Sequence, residues 1–302
     1  MCAWGERDVV EVSVCSWSEL QEALFEPAWQ PELGRHRTNE VFRGERSSNQ
    51  GLATSLACLG GDFALHEQPL LRNFRKYARR DAVSADCQWD WLALGKHHGL
   101  PTRVLDWSFS PLVAAHFATA APLRREDAVV WCIDHVQAAA RLPAELREML
   151  REERTSVFTT EMLSSVASSF CELDKRLGPE GLLFFEPPSL DQRIINQFAV
   201  FSLQGAASAA MVDWLQRNGD LVRRIVIPAD VIPEIRDKLD QANVNERVLF
   251  PGLDGLSRWL ARHYSTFGMP TPAPAPTREP RTRTTRNSSR SGASNSSARS
   301  PN

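Results

Sequence analysis

Within the stretch from His97 to Phe117, the run from His97 to Pro111 crowds two imidazoles (His97, His98), a guanidinium (Arg103), a carboxylate (Asp106), an indole (Trp107) and hydroxyls (Thr102, Ser108, Ser110) into a loop, a short strand and a loop. Asp106, Trp107 and Ser108 immediately precede a helix start, where exposed N–H groups favour anionic ligands. Polar loops between apolar elements are where sites tend to lie. A second cluster is Phe42-Arg43-Gly44. An arginine at a strand end, followed by a residue that lets backbone approach closely, suits a phosphate or carboxylate held in a guanidinium fork. A third is Arg193 with Gln197 on an apolar segment, and Glu186 is the nearest carboxylate to them in sequence. A glutamine among Ile195 and Phe201 must find hydrogen bonds or cost stability.

Each of these residues also has a purely structural reading. Arg43 fits a surface turn, Ser110 a helix cap, Trp107 the core, one histidine a helix end, and Gln197 a structural network. The stripe Arg72, Arg75, Lys76, Arg79 and Arg80 could steer anions, but it also fits a solvated helix face. A hydrolase working through His97 or His98 with Asp106 requires an imidazole within hydrogen-bond reach of that carboxylate. No P-loop, dinucleotide fingerprint, H-E-x-x-H motif or nucleophile elbow is present.

Helices and strands must position these groups. Ser16-Trp-Ser-Glu19 has the pattern of a capping box opening a helix through Phe25. Residues 39–44 read as a strand, and 67–80 and 88–98 as helices, the second closing at Gly99-Leu-Pro101. A short strand is expected over 102–105, then a helix with Ser110 as N-cap and Pro111 at its first position. Further strands are expected at 128–134, 181–185, 193–203, 221–227 and 247–250, and further helices at 143–153, 231–242 and 256–264. Helices early, strands mostly late and no regular βαβ alternation favour an α+β class: a mixed, largely antiparallel sheet core flanked by helices.

The chain has 302 residues, 35 Lys plus Arg against 37 Asp plus Glu, nine Trp and 14 Phe, enough bulk for a core. Residues 1–268 form one domain. Residues 269–302, rich in Pro, Arg and Ser, hold no large apolar residue after Met269 and are expected to be a disordered tail. Its arginines offer a nucleic-acid contact, although a solubilising tail is the simpler reading. No apolar run reaches the roughly 18–20 residues that span a bilayer, so no membrane contact is expected. The start lacks the regions of a signal peptide. The six cysteines are scattered, without a C-x-x-C pair, and read as reduced, mostly buried thiols in a cytoplasmic protein with no metal site.

The blocks Phe42-Arg43-Gly44, Leu70-Leu-Arg-Asn-Phe74, the run from Trp91 to Trp107, Ser110 to Phe117, Arg193-Ile-Ile-Asn-Gln197 with Phe201, and Leu249 to Gly255 together resemble the FRG domain family over about residues 10–264. Lys96 stands where the family usually has glutamine, and Ala199 where glycine is usual. A more distant likeness is carried by the order of elements: an aromatic-Arg-Gly strand, a serine-containing loop leading into a helix of pattern x-V-A-x-x-F, then strands. That order is similar to the Arg-Ser-Glu class of ADP-ribosyltransferases. The similarity implies a split sheet and NAD as cofactor. Around NAD it implies Arg43 at the phosphates, Gly44, Arg103 and Trp107 also against the cofactor, and His98, Asp106 and Ser108 lining the ribose pocket. Asp106 or Ser108 would take the place of the serine that positions nicotinamide and its ribose, and Gln197 would stand where the class has glutamate.

A neutral amide stabilises an oxocarbenium-like ribose less than an anion does. Either Glu186, Asp106 or Glu45 supplies that charge, or the fold binds a nucleotide without turning it over. The implied function is an NAD-binding ADP-ribosyltransferase-like or NAD-cleaving enzyme, a toxin or defence effector with a macromolecular ADP-ribose acceptor. The alternative is a non-catalytic module that senses a nucleotide or phosphate ligand.

Overall fold

The computed structural model describes residues 9–49, 51–78, 87–120 and 126–265. The expected tail, 269–302, and Arg79 and Arg80 of the basic stripe lie outside the described residues. The strands are β1 (Val10–Ser13), β2 (Trp29–Gln30), β3 (Arg35–His36), β4 (Glu40–Glu45), β5 (Leu105–Ser108), β6 (Ala128–Asp134), β7 (Leu182–Phe185), β8 (Ala199–Gln204) and β9 (Val222–Ile227). The helices of the first half are α1 (Trp17–Phe25), α2 (Glu67–Ala78), α3 (Gln88–His97), α4 (Pro111–Thr119), α5 (His135–Ala140) and α6 (Ala144–Glu152). Those of the second half are α7 (Thr160–Val166), α8 (Phe170–Leu177), α9 (Gln192–Asn196), α10 (Met211–Arg217), α11 (Ile232–Gln241), α12 (Glu246–Leu249) and α13 (Leu253–His263).

Seven strands form one sheet in the order β1-β9-β6-β4-β5-β8-β7, while β2 and β3 pair apart from it. Among the described strands of this sheet, β1 with β9 is the one parallel pair. The class is therefore α+β with a largely antiparallel sheet, as the element order suggested. β6, buried from Ala128 to Ile133, is its apolar interior strand. The seam lies beside it. β4 pairs with β6 over six residues and β5 with β8 over four, but β4 and β5 share only the pair Phe42 with Ser108. Two half-sheets thus meet at one pair, and because β5 ends at Ser108 they part on the side where Arg43 to Glu45 run past Leu105 to Trp107.

Three apolar clusters hold this arrangement. On one face, Phe42, Ile225 and Ile227 pack with Leu20 and Leu24 of α1, Ala114 and Ala118 of α4, and Ile235 of α11. On the other, Val41, Trp107, Trp131 and Val200 meet Ala138 of α5 and Trp214 of α10. Phe185, Phe201 and Leu203 pack with α3, α6, α7 and α8 through Trp89, Leu146, Leu163 and Phe170. Caps read from sequence set the helix starts. Ser16 Oγ accepts from Glu19 N–H at 3.3 Å, and Ser110 Oγ from Val113 N–H at 3.4 Å.

A buried ionic cluster ties down the C-terminal helices. Arg236, 1% exposed, donates to Glu246 Oε1 at 2.5 Å and sits 3.1 Å from His116 Nδ1, while Arg262 bonds both Asp240 and Glu246. Burial, together with the Arg236 charge, pushes the His116 imidazole down to about 4, so it is neutral at physiological pH. This cluster fixes α12 against α4 and α11.

Several expectations from sequence are corrected. Residues 193–203 are not one strand. Asp191 caps a short helix by accepting from the N–H groups of Arg193 (2.9 Å) and Ile194 (3.1 Å), and the strand starts only after Phe198, whose φ is +48°. Apolar residues on both sides of the segment fit either period, so alternation could not separate the two. Residues 247–250 are not a strand either: α12 takes in 247–249 and Phe250 is its C-cap, with Asn245 accepting from Val248 N–H at 3.3 Å. The strand expected at 102–105 lies at Leu105–Ser108, so Asp106 to Ser108 are strand rather than loop. The described cysteines are free, but Cys15, Cys58 and Cys171 are exposed rather than buried. No helix among the described residues is long and apolar enough to cross a membrane.

Gly44 has a packing reason. A Cβ there would lie 1.9 Å from Ala114 O and 2.4 Å from Ala118 N, both rigid helix backbone. Its glycine lets α4 sit directly on β4. Gly44→Ala is expected to cost about 3 kcal/mol of unfolding free energy in urea titrations, because α4 must lift away. A loss below about 0.5 kcal/mol would show that α4 is free to move.

Candidate functional site

The splayed seam opens into a cavity of about 740 Å³. Four stretches of chain wall it: Phe42 to Arg46 at the end of β4, Lys96 to Gly99 at the end of α3, Asp106 to Ser108 on β5, and Arg193, Ile194 and Gln197 on and after α9. Phe117 of α4 adds an aromatic side. Four permanent cations (Arg43, Arg46, Lys96, Arg193) face two carboxylates (Glu45, Asp106). The cavity is thus locally positive in a chain of formal net charge −2.

Contacts inside the cavity separate ligand groups from struts. Arg43 and Glu45 are two apart on a strand and therefore share a side. Arg43 Nε and Nη2 donate to Glu45 Oε1 at 2.8 and 2.7 Å, and Nη1 donates across the seam to Asp106 O at 2.6 Å. Lys96 Nζ lies 2.8 Å from Asp106 Oδ2. Ser108 Oγ donates to Gln197 O at 2.7 Å and accepts from Ser110 N–H at 3.0 Å. Gln197 Nε2 donates to Leu249 O at 2.8 Å, and Asn196 Nδ2 to Val248 O at 2.7 Å, fastening α9 to α12. The structural network anticipated for Gln197 is the one found, at the C-cap of α9 instead of mid-strand.

Most of the expected site residues do come together. Arg43, Gly44, His98, Asp106, Trp107, Ser108 and Gln197 all line the cavity. Their roles differ. Gly44 serves helix packing, and the Trp107 indole is turned into the core, where Nε1 donates to Ser202 Oγ at 2.9 Å.

Arg103 and Glu186 are misplaced. Arg103, 5% exposed, donates through Nε to Glu67 Oε1 at 2.6 Å and through Nη1 to Asp174 Oδ1 at 2.5 Å, beneath α8 and away from the cavity. Burial alone would weaken its charge, but the two carboxylates outweigh that and push its pKa up. Glu186 is exposed at the end of β7, its N–H donating to Phe158 O at 2.8 Å, and it does not line the cavity.

Sequence reasoning missed an imidazole–carboxylate pair. His97 Nε2 lies 2.7 Å from Asp191 Oδ2, so the carboxylate that holds an imidazole here is Asp191, while Asp106 is engaged by Lys96 and Arg43. Burial, reinforced by the neighbouring Arg193 charge, keeps the His97 ring below its usual pKa although Asp191 pulls it up. Burial would raise the Asp191 carboxyl. The N–H groups of Ile194 and Arg193 and the His97 ring outweigh it and hold that carboxyl below its usual range. The N-cap position of Asp191, ahead of a Gln-Arg-Ile-Ile-Asn run, was the available signal. Among the described residues no group of three or more His, Cys, Asp or Glu side chains could hold a metal ion.

Residues 38–127 match the sequence model of the FRG domain. That span holds Arg43, Lys96 to His98 and Asp106 to Ser108, and it ends before α9. No curated protein and no solved structure matches the chain significantly.

Two outcomes follow from the buried pairs. Arg103→Met strands two carboxylates, one of them buried, and is expected to lower unfolding stability by about 3–5 kcal/mol in chemical denaturation. A neutral result would mean that Glu67 and Asp174 reach water without it. The His97 ring is expected to titrate below 6.5 by NMR. Asp191→Asn removes the attraction that raises it and should shift the midpoint lower still, whereas an upward shift would contradict the pairing.

Proposed function

We propose, for a chain that matches the FRG domain over residues 38–127 and has a cation-lined cleft, that this cleft binds a nucleotide through its phosphates, with NAD as the ligand. The observation that carries this reading is the excess of positive side chains around one cavity of about 740 Å³ in a chain of net negative charge. Such focusing raises the local concentration of anions. The volume is of the size that encloses cofactors, roughly 300–1,000 Å³. The choice of NAD rests on the split seam and its likeness to the Arg-Ser-Glu ADP-ribosyltransferases, an analogy between folds. Unpaired thiols suit a reducing compartment, and we place this binding in the cytoplasm.

One observation favours turnover as a second reading. Asp106 presents a side chain 54% exposed on the β5 lip, oriented by Lys96. On this reading Asp106 would be the cleft carboxylate that faces a ribose whose bond to nicotinamide is breaking, a task that the Gln197 amide and the remote Glu186 would not serve. ADP-ribose would then pass to water or to a macromolecular acceptor.

Calorimetric titration with NAD, followed by chromatography of the recovered ligand, separates these readings. Binding with NAD recovered intact supports the sensing module. Release of nicotinamide that falls about 10²–10³-fold in Asp106→Asn supports cleavage. No heat and no nicotinamide would refute both.

A further inference from the structure

We infer that Arg193, rather than Arg43, receives the phosphate of the ligand, and that Arg43 is a strut setting the width of the cleft. This assignment rests on the nucleotide-binding reading above and names the residue that performs it.

A guanidinium has five N–H donors. Three of those of Arg43 are engaged, two by the Glu45 carboxylate and one by the Asp106 carbonyl on the opposite lip. Its charge is already balanced at bonding distance, and a phosphate could displace Glu45 only by leaving that carboxylate, 17% exposed, beside its own charge. Lys96 is balanced in the same way by Asp106 at 2.8 Å. Two of the four cations that line the cavity therefore bring little free charge to an incoming anion. Of the other two, Arg46 is exposed on the lip, where water and salt screen it.

Arg193 differs from all three. Its side chain is half-buried, and among the described residues no carboxylate pairs with its guanidinium. What holds it is uncharged. Nη1 donates to His97 O at 3.4 Å, and Cζ lies 5.1 Å from the centre of the Phe250 ring. A ring face orients a guanidinium without neutralising it. Arg258, over the same ring at 4.6 Å, donates to the Asp254 carbonyl and adds a second positive charge nearby. The adjacent Asp191 carboxylate is turned to the α9 backbone N–H groups and to His97. A cation kept half out of water without a counter-ion gains most when an anion arrives, since its desolvation is already complete in part.

Phe250 is accordingly a positioning residue, and the α12 to α13 segment has a function beyond packing. It fastens α9 through Leu249 O and Val248 O and supplies the platform under its arginine. The ligand chemistry is a diphosphate, which NAD carries and inorganic pyrophosphate shares.

Titration calorimetry of the full chain and of Arg193→Met, Arg193→Lys and Arg43→Met, each with NAD and with inorganic pyrophosphate, tests the assignment, with thermal melts as the folding control. Arg193→Met is expected to weaken both ligands about 10- to 100-fold at an unchanged melting temperature, with Arg193→Lys between it and the wild type. Arg43→Met is expected to melt lower and, because it leaves the Glu45 carboxylate unpaired in the cleft, to weaken pyrophosphate too, but by clearly less than Arg193→Met does. Wild-type affinity in Arg193→Met, with the loss appearing in Arg43→Met, would overturn the assignment and leave nucleotide binding standing. No binding of either ligand by the wild type would overturn the nucleotide reading and this assignment with it.

Discussion

The cleft exists because β4 and β5 cannot remain paired. α4 presses on Gly44 of β4, while the indole of Trp107 on β5 is drawn into the opposite core with Phe184 and Ser202. Their contact shrinks to Phe42 with Ser108. Past that point each strand is an edge with unpaired backbone groups, which must be bonded or hydrated. Arg43 answers part of this need by reaching the Asp106 carbonyl across the gap. A polar hollow in the middle of a large sheet is thus a consequence of two helix-and-core packings pulling neighbouring strands to different faces.

The half of the cleft built by α9 depends on distant residues. The Arg236, Glu246, Arg262 and Asp240 cluster anchors α12, and α12 carbonyls anchor Asn196 and Gln197. Glu246 would be raised by burial, yet the Arg262 and Arg236 charges hold it at about 2. It stays ionised throughout the physiological range, so this support does not vary with ordinary changes in pH. The arginine of α9 and the internally balanced arginine of β4 line the same cavity as unlike groups, one held by uncharged partners and one paired with Glu45.

Strong local patterns were legible in the sequence. β6 is a long apolar run, α4 announces itself by Ser110 and Pro111, and β4 reads as a strand running into Gly44, so the class of fold and one whole wall of the cleft could be read. The pairing of Arg43 with Glu45 was also legible, since strand neighbours two apart share a side, although Glu45 figured only as a candidate anion. Tertiary partnership was hidden. Arg103 looked like a ligand residue because Glu67 and Asp174 are 36 and 71 positions away. α12 spans only four residues, too few for a helical period to show, and α9 with β8 reads as one strand because apolar residues fall on both sides of the join. In both places the informative signal was the capping residue, Asn245 or Asp191.

A crystal structure of the full chain with NAD bound tests the central claim most directly. The account predicts diphosphate oxygens within hydrogen-bond distance of Arg193, with Glu45 still on Arg43 and the Phe42–Ser108 pair intact. A diphosphate seated on Arg43 with Glu45 swung away, or NAD outside the seam altogether, would contradict it.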